Sequence, residues 1–409
     1  MDQIIRNARL SDRSGAQTFD IGISGGVIRA IEPHLAAEGP SYDAHGRLVC
    51  PGLIETHIHL DKSRIIDRCA HQPRAKLSPV FGVTPIKPAM TVEDVYARAA
   101  QTLEACIAHG TTRMRTQLEV DPGIGLRSYE AIERLVADYS WAIDIEICVF
   151  PQEGITNFPG TDELLQQSLK RGADLIGGAP RYDTDAAAQI HRIFELAREY
   201  DVDIDMHLDV GPSAEQMDIP LVLELTEKFK RGGRVTVGHM AKLSLLPPDQ
   251  VASLGRRLAD AGIAVTVLPA TDLFLMGRNV DHRVPRGVAD ANLLMAQGVT
   301  CSLSTNNVLN PATPYGDCSL VRMANLYANI LQLDRASELA DCFHMLSAYS
   351  ARVLNLKDYG FRVGNPGDAV VFNAERPEQV VAELAQPVAA FKRGRQTLAW
   401  EPPKLLRPQ

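Results

Sequence analysis

Pro51-Gly52-Leu53-Ile54-Glu55-Thr56-His57-Ile58-His59-Leu60-Asp61-Lys62 is the stretch on which the reading of this chain turns. A short run of apolar and β-branched residues after a Pro-Gly pair reads as a buried strand. His57 and His59 stand two residues apart, so in a strand their side chains share one face. Two imidazoles on one face can share a cation, at about 2.0–2.1 Å from nitrogen to zinc.

Seven later stretches have the same character, at 112–120, 143–151, 173–179, 202–209, 234–239, 262–269 and 299–305; with 53–59 they make eight. Three of them also end in possible ligands: His207 in the fifth, His239 in the sixth and Asn306 in the eighth. Amphipathic segments with apolar residues at three- and four-residue spacing lie between, as at Val92–Ala108, Asp185–Glu199, Pro220–Lys230 and Asp249–Ala261, with a further helix near 319–332. Gly110, Gly172, Gly262 and Gly298 follow helices, where a left-handed cap is wanted. Alternating strands and helices in this number predict an α/β fold, a (β/α)8 TIM barrel, whose strand C-termini all open on one face and carry the active site there. A doubly wound open sheet is the alternative; its ligands would gather at one crevice. Ligands on strands one, five, six and eight favour closure.

The ends read differently. Residues 1–50 and 360–400 hold short alternating strands at 4–8, 19–23, 27–31, 363–372 and 388–394, and neither end can bury a core alone. We expect a small β-sandwich domain built from both termini, residues 1–50 and 357–409, around a barrel of residues 51–356. Formal net charge of −8 argues against a nucleic-acid partner. With no run of 18 apolar residues, no membrane span is expected. The N-terminus lacks a basic region followed by an apolar stretch, so no secretory signal is read. Seven scattered cysteines without a C-x-x-C pair fit reduced thiols, hence a cytoplasmic protein.

His207 is the natural third ligand to His57 and His59. In a site with one ion, His239 is better placed to hydrogen-bond an activated water than to bind the ion. Asn306 and Asn307 stand where a carboxylate would be expected; asparagine offers only a neutral carbonyl oxygen. Gln152 and Glu153 end the third strand, and the Gln152 amide can donate one bond and accept another from a heterocycle edge. Gln117 and Glu119 end the second strand and would line the same mouth. Asp209, two residues beyond His207, is a candidate for proton transfer.

With these residues in place, the chain resembles the amidohydrolase superfamily, and within it the branch of bacterial cytosine deaminase and N-isopropylammelide isopropylaminohydrolase. The likeness runs through nearly the whole chain. It rests on the first-strand motif Pro51–Lys62, on Phe150-Pro151-Gln152-Glu153-Gly154-Ile155, on Ser350-Ala351-Arg352-Val353-Leu354-Asn355-Leu356 and on Gly364-Asn365-Pro366-Gly367-Asp368. The resemblance implies that His57, His59 and His207 bind one divalent metal ion, zinc or iron, that His239 orients the attacking water, and that Gln152 holds the substrate's amide. It also implies a homo-oligomer acting on a small heterocyclic molecule.

Two departures matter. The catalytic glutamate of cytosine deaminase, three residues after the third metal histidine, is Val210 here; the metal-binding aspartate aligns with Asn306, and the next acidic residue with Asn307. Losing one general acid or base costs roughly 10²–10⁴ in rate. The expected activity is therefore hydrolysis of a C–N bond in a nitrogen heterocycle or cyclic amidine other than cytosine, with Asp209 and Glu153 as replacement carboxylates. The alternative is a heterocycle-binding, catalytically impaired homologue.

Overall fold

The computed structural model describes all residues except 14, 71–81, 402, 404 and 407–409. Its centre is a closed parallel barrel of eight strands: β1 (Leu53–Ile58), β2 (Thr111–Glu119), β3 (Asp144–Phe150), β4 (Leu175–Ile176), β5 (Asp203–Leu208), β6 (Val235–His239), β7 (Ile263–Val267) and β8 (Cys301–Leu303). Neighbouring strands pair in chain order, all parallel. Closure between the last and the first is made by Asn306, whose N–H donates to His57 O and whose carbonyl accepts from His59 N–H, each at 2.9 Å. The open-sheet alternative fails on those two hydrogen bonds.

Strands covered on both faces must be apolar on both, and β1 is buried at every position. The barrel interior is not wholly apolar. Thr56 Oγ1 meets Ser302 Oγ at 2.9 Å and Ser304 Oγ at 2.6 Å, and Thr266 meets Ser302 at 2.9 Å. Hydroxyls that satisfy one another fill the narrow interior without leaving these oxygens unpaired. The helices fall where the spacing predicts: Val92–Ala108, Ala186–Glu199, Ile219–Lys228, Pro248–Ala261 and Leu320–Leu331. Gly262 caps the fourth of these with φ +67°, a left-handed conformation in which any Cβ would sit 2.8 Å from the backbone of Gly233.

Both termini build the second unit. Its strands run Arg395–Ala399, Pro387–Lys392, Ala369–Phe372, Leu48–Cys50, Gln3–Leu10, Phe19–Ser24 and Val27–Glu32 in spatial order, and Ser41–Asp43 also pairs with Gln3–Leu10. They enclose a separate core of Ile5, Ile21, Ile23, Val49, Val371 and Phe391. Of the expected strand 363–372 only Ala369–Phe372 is a continuous strand; Gly364 (φ +96°) turns the chain before it, and Pro366 makes a single antiparallel bridge to Val27. Lys392 ties the two units together. Its buried ammonium donates to Thr112 O at 3.0 Å, Asp144 at 2.7 Å and Asp368 at 2.7 Å. All seven cysteines are unbonded, and among the described residues no helix is long and apolar enough to cross a membrane.

Candidate metal centre and active site

At the C-terminal mouth of the barrel, β1 and β5 bring three imidazoles together. His207 Nε2 lies 3.1 Å from His57 Nε2 and 3.0 Å from His59 Nε2. Four ligands about 2.0–2.1 Å from a tetrahedral zinc stand roughly 3.3 Å from one another, so these atoms are spaced as ligands of one cation. Burial lowers the pKa of His57, and it holds His59 and His207 well below the ordinary imidazole range, so all three stay neutral and able to donate a lone pair. The His207 ring stacks on Phe150 at 4.6 Å, which fixes its plane.

His57 is oriented from behind. Its Nδ1 donates to Asp205, wholly buried, at 3.2 Å, and Asp205 accepts in turn from Arg115 at 3.1 Å. That hydrogen bond sets the tautomer that leaves Nε2 bare for the cation. Replacing Asp205 with asparagine is expected to weaken zinc affinity by about 10–100-fold, the scale for partners behind a ligating histidine. Competition titration against a chelating dye measures this, and unchanged affinity would mean that His57 is held by packing alone.

His239, at the tip of β6, belongs to a second chain of bonds. Its Nδ1 donates to Asp272, at 2.6 Å and fully buried. Its Nε2 is then an acceptor and faces Asn306 Nδ2 at 3.4 Å. This sets the Asn306 amide so that Oδ1 is left buried with no partner. An orphaned amide oxygen beside three imidazole nitrogens spaced to hold one cation fits a neutral fourth ligand. Both His239 (φ +73°) and Asn306 (φ +62°) have left-handed backbone, which Asn and His tolerate better than most residues.

The pocket over these histidines is lined by His59, Lys62, Gln152, Arg181, Tyr182, His207, Val210, His239, Thr271, Leu275, Asn307 and Ala312. Val210 thus stands in the wall, and no carboxylate does among the described residues. Carboxyl groups gather behind this wall instead. Lys62 donates to Glu119 at 2.5 Å and to Gln152 Oε1 at 2.8 Å. Lys87 pairs with Glu119 at 2.6 Å, with Asp121 at 2.7 Å and with Glu153. Burial works against the Glu119 carboxylate, but Lys62 and Lys87 hold it at about 2. Burial, and Glu119 beside them, push Asp61 and Glu153 up to about 7. Glu119, Asp121 and Glu153 share the two ammoniums, while Asp61 accepts from the backbone N–H groups of Lys62 and Glu119 at 2.8 Å each.

Three sequence expectations land elsewhere. Asp209 was read as sharing the face of His207, but β5 ends at Leu208 and Asp209 turns away with φ +53°. Its carboxylate accepts from the N–H groups of Asp218 and Ile219 at the start of the helix Ile219–Lys228. Gln117 lies one layer deeper than the mouth, wholly buried, with its amide 3.3 Å from Nδ1 of His57. Glu153 faces Lys87 and Thr84 and not the pocket. Asp205, Asp272, Lys62 and Lys87 are the residues that sequence reading missed.

A closed βα barrel that gathers three imidazoles at its mouth, spaced as ligands of one cation, is an arrangement that suits metal-assisted hydrolysis. Residues 65–397 match the model of the Amidohydrolase family, and the chain belongs to that family. It is 28% identical over 407 residues to N-isopropylammelide isopropyl amidohydrolase of Pseudomonas sp. (strain ADP), covering 96% of both chains. It is 26% identical over 388 residues to pterin deaminase of Rhizobium rhizogenes, covering 93% of this chain and 88% of that one. The crystal structure of 5-methylcytosine deaminase from Klebsiella pneumoniae with 5-fluorocytosine superposes with a TM-score of 0.93 at 25% identity, covering 99% of each chain.

Proposed function

We propose that this chain is a metal-dependent hydrolase that releases ammonia or an amine from a nitrogen heterocycle or cyclic amidine other than cytosine. The observation that carries the reading is the convergence of His57, His59 and His207 Nε2 within 3.0–3.1 Å contacts. One zinc or iron ion would be held by these three, with Asn306 Oδ1 as the fourth protein ligand. When bound, such an ion lowers the pKa of a water and stabilises negative charge on the reacting centre. His239, with its tautomer set by Asp272, would position that water. Gln152 and Asn307 would hold the ring. The names of the relatives, an ammelide amidohydrolase and a pterin deaminase, support a heterocyclic substrate. Val210 and Asn306 stand where cytosine deaminase has carboxylates, which supports a substrate other than cytosine. The pocket encloses only about 40 Å³, so a ring can enter only if the rim residues Arg181, Tyr182 and Leu275 move outward.

The test is metal analysis of protein purified without chelator, together with ammonia and amine release across pyrimidines, triazines, pterins and cyclic ureas. Stoichiometric metal with turnover is expected. Asn306→Asp adds a charged ligand and is expected to tighten zinc binding by on the order of 10-fold, the scale on which changes around a metal centre move affinity. Unchanged affinity would place Asn306 outside the coordination sphere. A second reading, a heterocycle-binding protein without turnover, is favoured by the pocket wall that carries no carboxylate. Ring binding without release of any product would decide for it.

A further inference from the structure

The amides in the pocket wall are not free to choose which end they present. Gln152 Oε1 accepts from the Lys62 ammonium at 2.8 Å, and an ammonium can only donate. The amide therefore offers its NH2 to the pocket, because a second donor brought to that oxygen would meet the ammonium's positive charge. Asn307 is fixed in the same way through one more residue. Asn310 Oδ1 accepts from the N–H groups of Ala312 and Thr313 at 2.9 and 3.2 Å, so Asn310 Nδ2 must be its donor end. That donor lies 2.7 Å from Asn307 Oδ1, which leaves Asn307 Nδ2 as the free end. These orientations follow from groups of fixed polarity and not from a choice of amide flip.

The remaining wall has the same polarity. Lys62, Gln152 and Asn307 are each more than nine-tenths buried. Arg181 lies 4.9 Å over the Tyr182 ring and makes no ion pair or hydrogen bond among the described residues. Side-chain acceptors in the wall are the hydroxyls of Thr271, already bonded to the Thr313 hydroxyl at 2.7 Å, and of Tyr182, which rotates to suit either role. Besides the histidines and these two hydroxyls, the pocket meets its guest with amide NH2 groups and cations.

We propose that the substrate is an oxo-rich or anionic heterocycle, one that turns adjacent ring carbonyl oxygens or a deprotonated imide edge to Gln152, Asn307 and Arg181, and not an amino-rich ring. This rests on the reading of the pocket as the substrate site. It changes the role of Gln152 from the donor-plus-acceptor pairing expected from sequence to donation alone. A ring that offers N–H groups at those positions leaves buried donors facing donors, which a closed pocket rejects.

The test compares two planar rings of one size, 2,4,6-trioxopyrimidine and 2,4,6-triaminopyrimidine, by calorimetric titration of the purified protein. The trioxo ring is expected to bind more tightly by at least about tenfold, the worth of one hydrogen bond to a charged group. Arg181→Gln, at an exposed position, is expected to remove most of that margin. Asn307→Asp keeps the bond from Asn310 and replaces the free NH2 with an acceptor, so the preference should narrow or invert. Equal or tighter binding of the triamino ring by the unmodified protein overturns the inference, and so does a preference that neither variant alters. Metal content is measured on the same samples. A preparation without metal that keeps the preference sinks the metal reading and spares this one; a metal-loaded enzyme with the preference reversed does the opposite.

Discussion

Replacing Lys87 with methionine is expected to destabilise the protein by about 3–5 kcal/mol at pH 8, the cost of breaking a buried ion pair from one side. Lys87 is 2% exposed and stands among three carboxylates, Glu119, Asp121 and Glu153, which are 3%, 1% and 7% exposed. Methionine fills most of the volume but supplies no charge, and Lys62 alone cannot satisfy three anions. The loss should depend on pH with a definite sign. Without the ammonium, burial and mutual repulsion raise the folded-state pKa values of these carboxyls above their unfolded values. A group raised in the folded state contributes stability below its unfolded pKa and loses it as pH rises through the folded pKa. Burial and Glu119 already raise Glu153 to about 7 with the lysine present. The variant should therefore melt far below the native protein at pH 8 and recover much of the difference near pH 5.5. Adding Glu153→Gln should restore part of the loss at pH 8. A loss under about 1 kcal/mol, the worth of an exposed pair, would mean that the ammonium does not sit among those carboxylates.

The histidine cluster was legible in the sequence because a strand repeats every two residues and a parallel barrel gathers strand ends. Those two rules carry His57, His59, His207 and His239 to one mouth with no other information. Read backwards from His207, the same rule reaches Asp205, a wholly buried carboxylate on the same face of β5. Read forwards, it reached Asp209, and there it failed, because the strand stops at Leu208 and the backbone turns left-handed. Strand ends are where periodicity gives out, yet this fold keeps its chemistry there. Gln117 shows the converse limit: the face was right, but depth along the barrel axis depends on stagger between strands, which no single strand encodes. Lys87 left no signal at all. It lies in a 3-10 segment, Thr84–Ala89, with no apolar period, and its partners sit on β2 and at the ends of β2 and β3. Asp272 likewise meets His239 only through the turn into the helix Pro269–Leu275 that follows β7.

Replacing His207 with alanine should remove the metal more thoroughly than any change behind the ligands. Its Nε2 touches both other imidazoles, so its loss leaves His57 and His59 as a two-nitrogen site at the end of β1. Affinity should fall by more than the roughly 10–100-fold that an outer partner costs. The metal-free variant, by contrast, should lose little beyond the stacking of the ring on Phe150, since three mutually close lone pairs become two. The separating measurement is the melting temperature with and without added zinc. A ligand that binds only the folded state stabilises it by about 2.7 kcal/mol at 100 times its Kd. The chelator-stripped native protein should gain that increment, and His207→Ala should gain almost none at the same zinc concentration. Equal stabilisation of the two proteins would mean that zinc binds elsewhere, with Glu119, Asp121 and Glu153 as the other cluster close enough to hold it. In that case Lys87→Met, which takes the ammonium out of that cluster, should strengthen the zinc response, whereas the three-histidine site requires it to leave the response unchanged.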